Sequence, residues 1–505
     1  MLLGMEQAIE LSASDISKVV DTFVQEAGVK DVQVFTCPLQ AFACLEAYYE
    51  ESVGKLRQAV LSPLKLQLLS QEKEGVYPYL GVWGKTLGSS ETVKSFGILR
   101  EKGFHGITVT RPDIFKSYLL QQMESIAMYD QVLFIVAKSS KPIPVYFLKE
   151  DILAGVQDVA DIQSLLPLPC LRSIDDEIVD GKMDWHHLPI KPLAYFQAER
   201  IDYSLGRIAH YCGTQPQHFQ RFIVLTNYHR YTDLFFQYAQ QALQDPDSGY
   251  TCWVEPQDRV LGPQELSQSL LQESGIHFQM PAYHLVRPDG NGISLVNIGV
   301  GPSNARTITD HLAVLRPHCW LMMGHCAGLR HSQVLGDYVL ANGYMRQDHV
   351  LDNEMPLNVP IPSLLLIHEV LKQAIGDVCG FDEQAMPRRV RMGTVLSVAN
   401  RNWELSVKAM ETLLVLGRAV AVDMETTTIA VNGLRYRVPY AALLCVSDRP
   451  FHGELKLERL AKNFYRQRVR QHFDVGIRAM EMLRHIDPDV LHSPELRGFQ
   501  DVSFR

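Results

Sequence analysis

Asp448 follows an apolar, strand-like run, Leu444-Cys445-Val446-Ser447, whose end would hold a carboxyl group in a partly dry pocket. Burial disfavours the charged form of a carboxyl group, so its pKa rises and it can give a proton to a leaving group. The pattern makes Asp448 a candidate general acid. The same pattern also fits a turn residue or a partner for Arg449, and a strand-end aspartate more often has such a role.

A second apolar run ends in two carboxylates, Asp423 and Glu425, with Met424 between them. An ionised carboxylate only accepts hydrogen bonds, so Glu425 is suited to two neighbouring hydroxyl groups of a sugar. The alternative is structural: Asp423 would cap a helix and Glu425 would lie in its first turn, where negative charge is favourable. The pattern alone favours the structural role.

The segment Asn297 to Asn304 places two glycines, Gly299 and Gly301, between an apolar run and a helical one. The first free amides of such a helix, near Ser303, would point at an anionic ligand. Asn304 stands where a dinucleotide-binding loop has its third glycine, and the chain has no Gly-Lys-Ser/Thr of a triphosphate loop. A tight turn with Ser303 as helix N-cap fits the pattern equally well.

His229 and Arg230 come shortly after the apolar run Phe222 to Thr226. Arginine binds a phosphate group through two parallel hydrogen bonds, and a histidine adds a second donor. The alternative is a surface turn with packed aromatic residues. Two groups that can carry positive charge at the end of a strand argue against this alternative, so we expect both side chains to contact a phosphate.

His325 and Cys326 are adjacent in a strand-like segment, so they would point to opposite faces and cannot form a nucleophile pair. A hydrogen-bonded core histidine is the more common outcome for such a residue, and His325 is kept as a candidate substrate contact. The sequence has no His-Glu-x-x-His motif, paired Cys-x-x-Cys or calcium loop, so no metal site is expected.

The composition limits the classes of partner. The 505 residues are 46% hydrophobic and 21% charged, as in a soluble globular protein of two domains. A net charge of −9 gives no attraction for nucleic acid, and no run approaches the roughly 18 apolar residues of a membrane span. Nine cysteines without a Cys-x-x-Cys pair indicate thiols in a reducing compartment. We expect a cytoplasmic protein that binds neither nucleic acid nor membranes.

Beyond Arg221, apolar runs alternate with helical stretches, which is typical of an α/β fold whose sheet is covered on both faces. Helices are predicted at 232–244, 303–315 and 464–486. Strands are predicted at 222–226, 295–299, 320–324, 338–341, 394–398, 420–423 and 441–447. Ligands in such folds bind beyond the C-terminal ends of strands, where the candidate residues stand.

The first part of the chain has a different pattern. Helical spacing occurs at 14–27 and 39–60, and strand-like segments occur at 106–110, 132–136 and 143–147. We predict an N-terminal α+β domain over 1–190 and a catalytic domain over 191–505. The boundary is placed in or just after the Asp-, Pro- and Leu-rich stretch 151–192.

Together these segments resemble bacterial AMP nucleosidases over almost the whole chain. The most specific stretch runs from Leu295 to His318 and contains Gly299-Val300-Gly301-Pro302-Ser303-Asn304. Similar family motifs are Asp202–Leu205, His218–Tyr231, Arg401–Leu405, Asp423–Glu425 and Cys445–Pro450. The N-terminal part is similar but looser, at Thr108–Pro112 and Pro142–Pro144, and residues 67–92 differ from the family pattern.

The resemblance implies a nucleoside-phosphorylase-like catalytic domain, with a central mixed sheet flanked by helices, that hydrolyses AMP to adenine and ribose 5-phosphate. It places Asp448 where the superfamily holds the acid that protonates purine N7, and Met424 with Glu425 where it binds ribose. Trp403, with Asn402 beside it, falls near the residue that stacks on the base. Arg230 matches a phosphate-contacting arginine in a loop one residue shorter than that of phosphorylases.

The resemblance also implies a homohexamer with a regulatory N-terminal domain, acting in purine salvage and control of the adenylate pool. The chemistry would need no cofactor, while Mg-ATP and phosphate would be allosteric ligands. The effector site, the communication between subunits and the acceptance of other nucleotides stay open.

The nucleophile is the point on which the sequence departs from phosphorylases. Those enzymes hold phosphate with an Arg and a Ser flanking the strand end that here reads Met322-Met323-Gly324-His325. Met322 cannot bind an anion, which fits water as the nucleophile. Two alternatives stay open, a purine nucleoside phosphorylase and a nucleotide sensor without turnover. The base that activates water is likewise open among His229, Asp233 and Glu425.

Overall fold

The apolar runs form two separate β-sheets in a computed structural model, one in each of two compact units. The structure describes residues 12–60, 74–86, 94–148, 167–271, 278–454, 458–492, 494–498 and 501–505. Parts of two stretches discussed above, 67–92 and 151–192, lie outside these ranges. The first unit comprises 1–206 with 497–505, and the second comprises 207–496. The first unit thus extends beyond residue 190.

The N-terminal unit contains a five-stranded sheet in the order β1-β4-β2-β3-β5. Its strands are β1 (Lys30–Phe35), β2 (Val76–Thr86), β3 (Gly103–Thr108), β4 (Gln131–Pro142) and β5 (Ile190–Pro192). Its helices are α1 (Ala13–Ala27), α2 (Pro38–Val60) and α3 (Pro112–Tyr129), and α4 (Ala198–Cys212) crosses the division between the units. Among the described strand pairs of this sheet, only β3 and β5 are parallel, so this is the α+β arrangement that the sequence predicts.

The strand predicted at 143–147 is wrong. Strand β4 ends at Pro142, and Val145–Phe147 form a 3₁₀ turn. Pro142 and Pro144 have no N–H to donate to a neighbouring strand, so the ladder cannot continue through them.

The second unit contains a ten-stranded mixed sheet flanked by helices, which confirms the predicted fold class. Its strands are β6 (Phe222–Thr226), β7 (Cys252–Glu255), β8 (Arg259–Leu261), β9 (Ala282–Val286), β10 (Ile293–Asn297), β11 (Cys319–Gly328), β12 (Tyr338–Gln347), β13 (Val390–Val398), β14 (Ala421–Asp423) and β15 (Tyr440–Asp448). Its helices are α5 (His229–Ala242), α6 (Pro302–Leu312), α7 (Leu365–Cys379), α8 (Met386–Arg389), α9 (Val407–Gly417), α10 (Thr426–Tyr436), α11 (Glu458–Arg484) and α12 (Pro488–Leu491).

Part of this sheet closes on itself. The strand order is β14-β13-β12-β15-β11-β6-β10-β9-β7-β8, and β14 also pairs with β11. Five strands therefore form a ring: β11, β15, β12, β13 and β14. Neighbouring strands of a sheet lie about 4.8 Å apart, so the ring brings residues of distant sequence close together.

The central strands β10, β6, β11 and β15 run parallel, and their apolar runs are buried. Thr226 at the end of β6 pairs with Asn297 of β10 and Met323 of β11. The register therefore aligns the carboxyl ends of these strands at one edge of the sheet. Among the described residues, no helix is long and apolar enough to cross a membrane.

Candidate active site

Glu425 lies between two loops that follow neighbouring strands. Its Oε1 accepts a hydrogen bond from the backbone N–H of Gly301 at 2.6 Å, and its Oε2 accepts one from Nδ2 of Asn227 at 3.1 Å. The side chain is only 2% exposed. Burial, and next the charge of Asp423, raise the pKa of Glu425 to about 8. Glu425 therefore exchanges its proton near neutral pH.

Asp423 has a structural environment. One oxygen accepts from the Ser397 hydroxyl, and the other accepts from the hydroxyl of Thr426 and from its backbone N–H at 2.9 Å. The Thr426 N–H is the first of helix α10, so Asp423 satisfies a free amide at that helix end. The N-cap residue is Glu425, however, so the positions that the structural alternative gave to Asp423 and Glu425 are wrong. The two carboxylates thus have different partners although only one residue separates them.

Asp448 and the turn containing Glu425 lie on opposite sides of one strand. Ala327 of β11 pairs with Val422 of β14 on one side and with Asp448 of β15 on the other. Two strand spacings correspond to about 10 Å, which is close enough for both carboxylates to face one small substrate. Asp448 is buried, and its Oδ1 accepts from the Ser447 hydroxyl at 2.6 Å.

Arg449 has a carboxylate partner other than its neighbour Asp448. Its Nε and NH2 groups bind both oxygens of Glu454, at 2.7 and 2.6 Å. The structural alternative expected Arg449 to pair with Asp448, and the structure shows a bidentate pair of Arg449 with Glu454.

Trp403 and Met424 belong to one apolar cluster beside these strands. Trp403 is buried in a 3₁₀ turn, 403–406, and it shares the cluster with Ala327 and Val422. Ala327 and Val422 are also the paired residues that bring Asp448 and Glu425 close together. Trp403, which belongs to the same cluster, therefore lies near the same edge of the sheet. Its neighbour Asn402 is exposed.

The glycine segment connects β10 to α6. Gly299 and Gly301 have φ values of +68° and +115°, which a residue with a Cβ adopts only with strain. Gly301, and not Ser303, is the N-cap residue of the helix, which begins at Pro302; the alternative role predicted for Ser303 is therefore wrong. A glycine is needed here because the positive φ turns the Gly301 N–H toward Glu425. Ser303 is exposed in the first turn.

His229 and Arg230 begin helix α5, and both are exposed. Asn297 connects this helix end to the glycine segment. Its Nδ2 lies 3.1 Å from His229 Nδ1, and its Oδ1 accepts from the Gly299 N–H at 3.2 Å. Since Nδ2 can only donate, the proton of the neutral His229 ring is on Nε2, which is available as a donor.

His325 is a buried, hydrogen-bonded histidine of strand β11. His472 Nε2 donates to the Leu443 carbonyl at 2.9 Å, so its Nδ1 accepts from the Tyr231 hydroxyl at 2.5 Å. The Tyr231 oxygen then accepts from His325 Nε2 at 3.3 Å. Burial lowers the pKa of His472 to about 4, so the His472 ring stays neutral and keeps one tautomer. The arrangement matches the core role that the sequence favours.

Asn227 is a residue that the sequence interpretation missed. It lies between β6 and α5, two residues before His229, and 198 positions separate it from Glu425. Its position in the sequence could have identified it, because Asn227 is the first residue after β6. In such sheets the ligand-binding groups follow the carboxyl ends of parallel strands.

Comparisons with known proteins agree over both units. Residues 40–189 match a family model described as the bacterial AMP nucleoside phosphorylase N-terminus, and residues 267–479 match the phosphorylase superfamily. The chain is 42% identical over 484 residues to the AMP nucleosidase of Escherichia coli strain K12, covering 93% of this chain and 98% of that protein. The AMP nucleosidase of Escherichia coli O157:H7 matches to the same extent.

Among solved structures, the AMP nucleosidase of Bacteroides thetaiotaomicron is 24% identical, with a TM-score of 0.40. The match covers 56% of this chain and 97% of that one. The assignment depends on the sequence matches, in which two curated relatives align with nearly their whole length. By this extent of identity, the chain belongs to the AMP nucleosidase family.

Proposed function

We propose that this protein hydrolyses the N-glycosidic bond of AMP, releasing adenine and ribose 5-phosphate. The observation that carries the proposal is the pair of buried carboxylates, Glu425 and Asp448, on either side of β11 at the carboxyl edge of the sheet. The relatives that align over 93% of the chain are named AMP nucleosidases.

The chemistry follows from the charges of the transition state. Departure of adenine leaves positive charge on the ribose and negative charge on the base, as in other glycosidases. Asp448 gives its proton to N7 of the purine, while Glu425 binds the ribose hydroxyls and stabilises the cation. Trp403, with Met424 in the same cluster, contacts the base and sugar from the apolar side.

The 5′-phosphate is the feature that distinguishes AMP from adenosine. Arg230 and the Nε2–H of His229, at the start of α5, would bind it, together with backbone amides near Gly299 and Ser303. Arg230→Ala should therefore lower kcat/KM for AMP and leave that for adenosine nearly unchanged. An unaltered ratio of the two values would remove Arg230 from this role.

Hydrolysis is distinguished from phosphorolysis by the nucleophile. Met322 is buried within β11, where an anion would find no donor from that side chain. Adenine should be released from AMP at full rate in phosphate-free buffer, with ribose 5-phosphate as the sugar product. A strict requirement for phosphate would identify a phosphorylase, and binding without adenine release would identify a sensor.

We also propose that the N-terminal unit binds the regulatory ligands, Mg-ATP and phosphate. It contains a cavity of about 430 Å³ lined by Tyr49, Arg57 and Arg111, with carboxylates of Glu46 and Glu50. Arginines suit phosphate oxygens, and carboxylates suit Mg²⁺. Arg57→Ala should abolish activation by Mg-ATP while the rate without effector stays unchanged.

The remaining proposals concern assembly and setting. Leu405, Val415 and Leu416 are 87%, 68% and 75% exposed around helix α9, and a second copy of the chain would cover such apolar side chains. These side chains support self-association, and we propose that the assembly is a homohexamer, whose mass light scattering would measure. A cytoplasmic enzyme of purine salvage and adenylate-pool control agrees with the nine free thiols.

A further inference from the structure

Asn227 presents its two polar atoms to different surroundings. Its Nδ2 donates to Glu425 Oε2, whereas its Oδ1 is buried, and none of the residues that the structure describes gives it a hydrogen bond. A buried amide oxygen without a donor costs free energy, so native proteins seldom leave one unless a ligand or water supplies the donor. Oδ1 therefore indicates a hydrogen-bond donor on the ligand side.

The surroundings of Oδ1 define the kind of donor. An ideal Cβ built on Gly324 would lie 3.7 Å from Asn227 Oδ1 and 3.0 Å from the Met322 methyl group. The oxygen thus lies against the bare backbone of β11, next to an apolar side chain. The negative charge of a phosphate group would be repelled by this partly negative oxygen. A neutral hydroxyl can donate to it without that repulsion, and the reactants that carry one are water and the ribose.

We propose that Asn227 binds the attacking water, an inference that depends on the proposed hydrolysis. The Asn227 Oδ1 accepts one water hydrogen, while its Nδ2 holds the Glu425 carboxylate next to the same water. The water oxygen bonds to C1′ as the C1′–N9 bond breaks, and the electron pair of that bond leaves with adenine. Asp448 supplies the proton to N7, and the proton lost by the water passes to Glu425. Solvent then returns a proton from Glu425 to Asp448.

The test is the competition between water and methanol for the ribosyl cation. Asn227→Ala should lower kcat for AMP about 10- to 100-fold. KM should stay nearly unchanged, because Asn227 would bind the attacking water and not AMP itself. It should also raise the ratio of methyl ribofuranoside 5-phosphate to ribose 5-phosphate at least about fivefold in aqueous methanol. A merely structural role would slow both products equally. The exposed Asn358→Ala is the matched control and should leave rate and ratio unchanged.

Asn227→Asp provides a second measurement if the alanine variant folds poorly. It retains an acceptor at Oδ1 but replaces the donor that faces Glu425, so the product ratio should stay at the wild-type value. An unchanged ratio in Asn227→Ala would overturn the proposal. So would a KM effect that disappears with 2′-deoxy-AMP or 3′-deoxy-AMP, which would assign Oδ1 to a sugar hydroxyl. If the wild-type protein released no adenine from AMP, the proposed function itself would fail.

Discussion

The substitution Glu425→Gln keeps the size of the side chain and removes its titration. Because burial and Asp423 raise the pKa of Glu425 to about 8, about one carboxyl in ten is ionised at pH 7 and about nine in ten at pH 9. If the ionised form is active, kcat/KM for AMP should rise about tenfold between these values. Initial rates of adenine release in phosphate-free buffers from pH 7 to 9.5 measure this rise. The glutamine variant should be at least about 100-fold slower and show no rise.

The control for this experiment is the neighbouring carboxylate. The charge of Asp423 is the second cause of the raised pKa, so Asp423→Asn should move the midpoint of the rise to lower pH. Circular dichroism must show that the variants remain folded. The reasoning would be refuted if Glu425→Gln retained the same rise with pH, since another group would then be the one that titrates.

Three further predictions concern the acid, the glycine segment and the buried histidine. Asp448→Asn should lose about 10²- to 10⁴-fold in kcat with an unchanged melting temperature, and equal activity would remove it as the acid. Gly301→Ala, at φ +115°, should lose about 1–3 kcal/mol of stability in urea unfolding and should also lose activity in AMP assays. Gly380→Ala, at φ +64°, should lose stability alone. The wild-type free energy of unfolding should fall as the pH drops from 6.5 to about 4. In this range His472 binds a proton in the unfolded chain, whereas the buried ring of the folded chain stays neutral. His472→Gln should lack about 3 kcal/mol of this fall in urea titrations, and an identical fall in both proteins would contradict the buried neutral ring.

The central strands could be predicted from the sequence because they are buried on both faces. The run Phe222–Thr226 is a strand with those bounds, and the helix predicted at 232–244 is α5, which begins at His229. Apolar runs of this length, followed by helical spacing, identify parallel strands without knowledge of their partners.

Helix α10 shows where such reasoning fails. Its sequence, Thr426–Tyr436, begins with three threonines and contains Gly433, and nearly all of its residues are buried. A helix buried on every side has no polar face, so the spacing by which helices are recognised is absent. Its position was decided by packing between the sheet and α6, which no local pattern records.

The candidate site could be predicted only in part, because local patterns are visible in the sequence and contacts between distant residues are not. Carboxylates at the ends of apolar runs are visible one segment at a time, as Asp448 and Glu425 were. The roles of Asn227 and Gly301 depend on contacts with Glu425 across 198 and 124 positions. The closure of the sheet through β11 and β14, which places Asp448 across one strand from Glu425, is equally non-local.

Asp423 and Glu425 illustrate how a fold separates two similar groups. Burial raises the pKa of Asp423 as well, and the hydrogen bonds from Ser397 and Thr426 oppose this rise only in part. Negative charge on Asp423 is, after burial, the next cause that raises the pKa of Glu425, and hydrogen bonds from Gly301, Asn227 and Met424 oppose it. With its pKa raised to about 8, Glu425 is largely protonated at pH 7 and largely ionised by pH 9, and the ionised form can accept a proton from water. In the proposed mechanism, Asp423 acts without touching the substrate, since its charge helps to keep the pKa of its neighbour close to the pH at which a base must work.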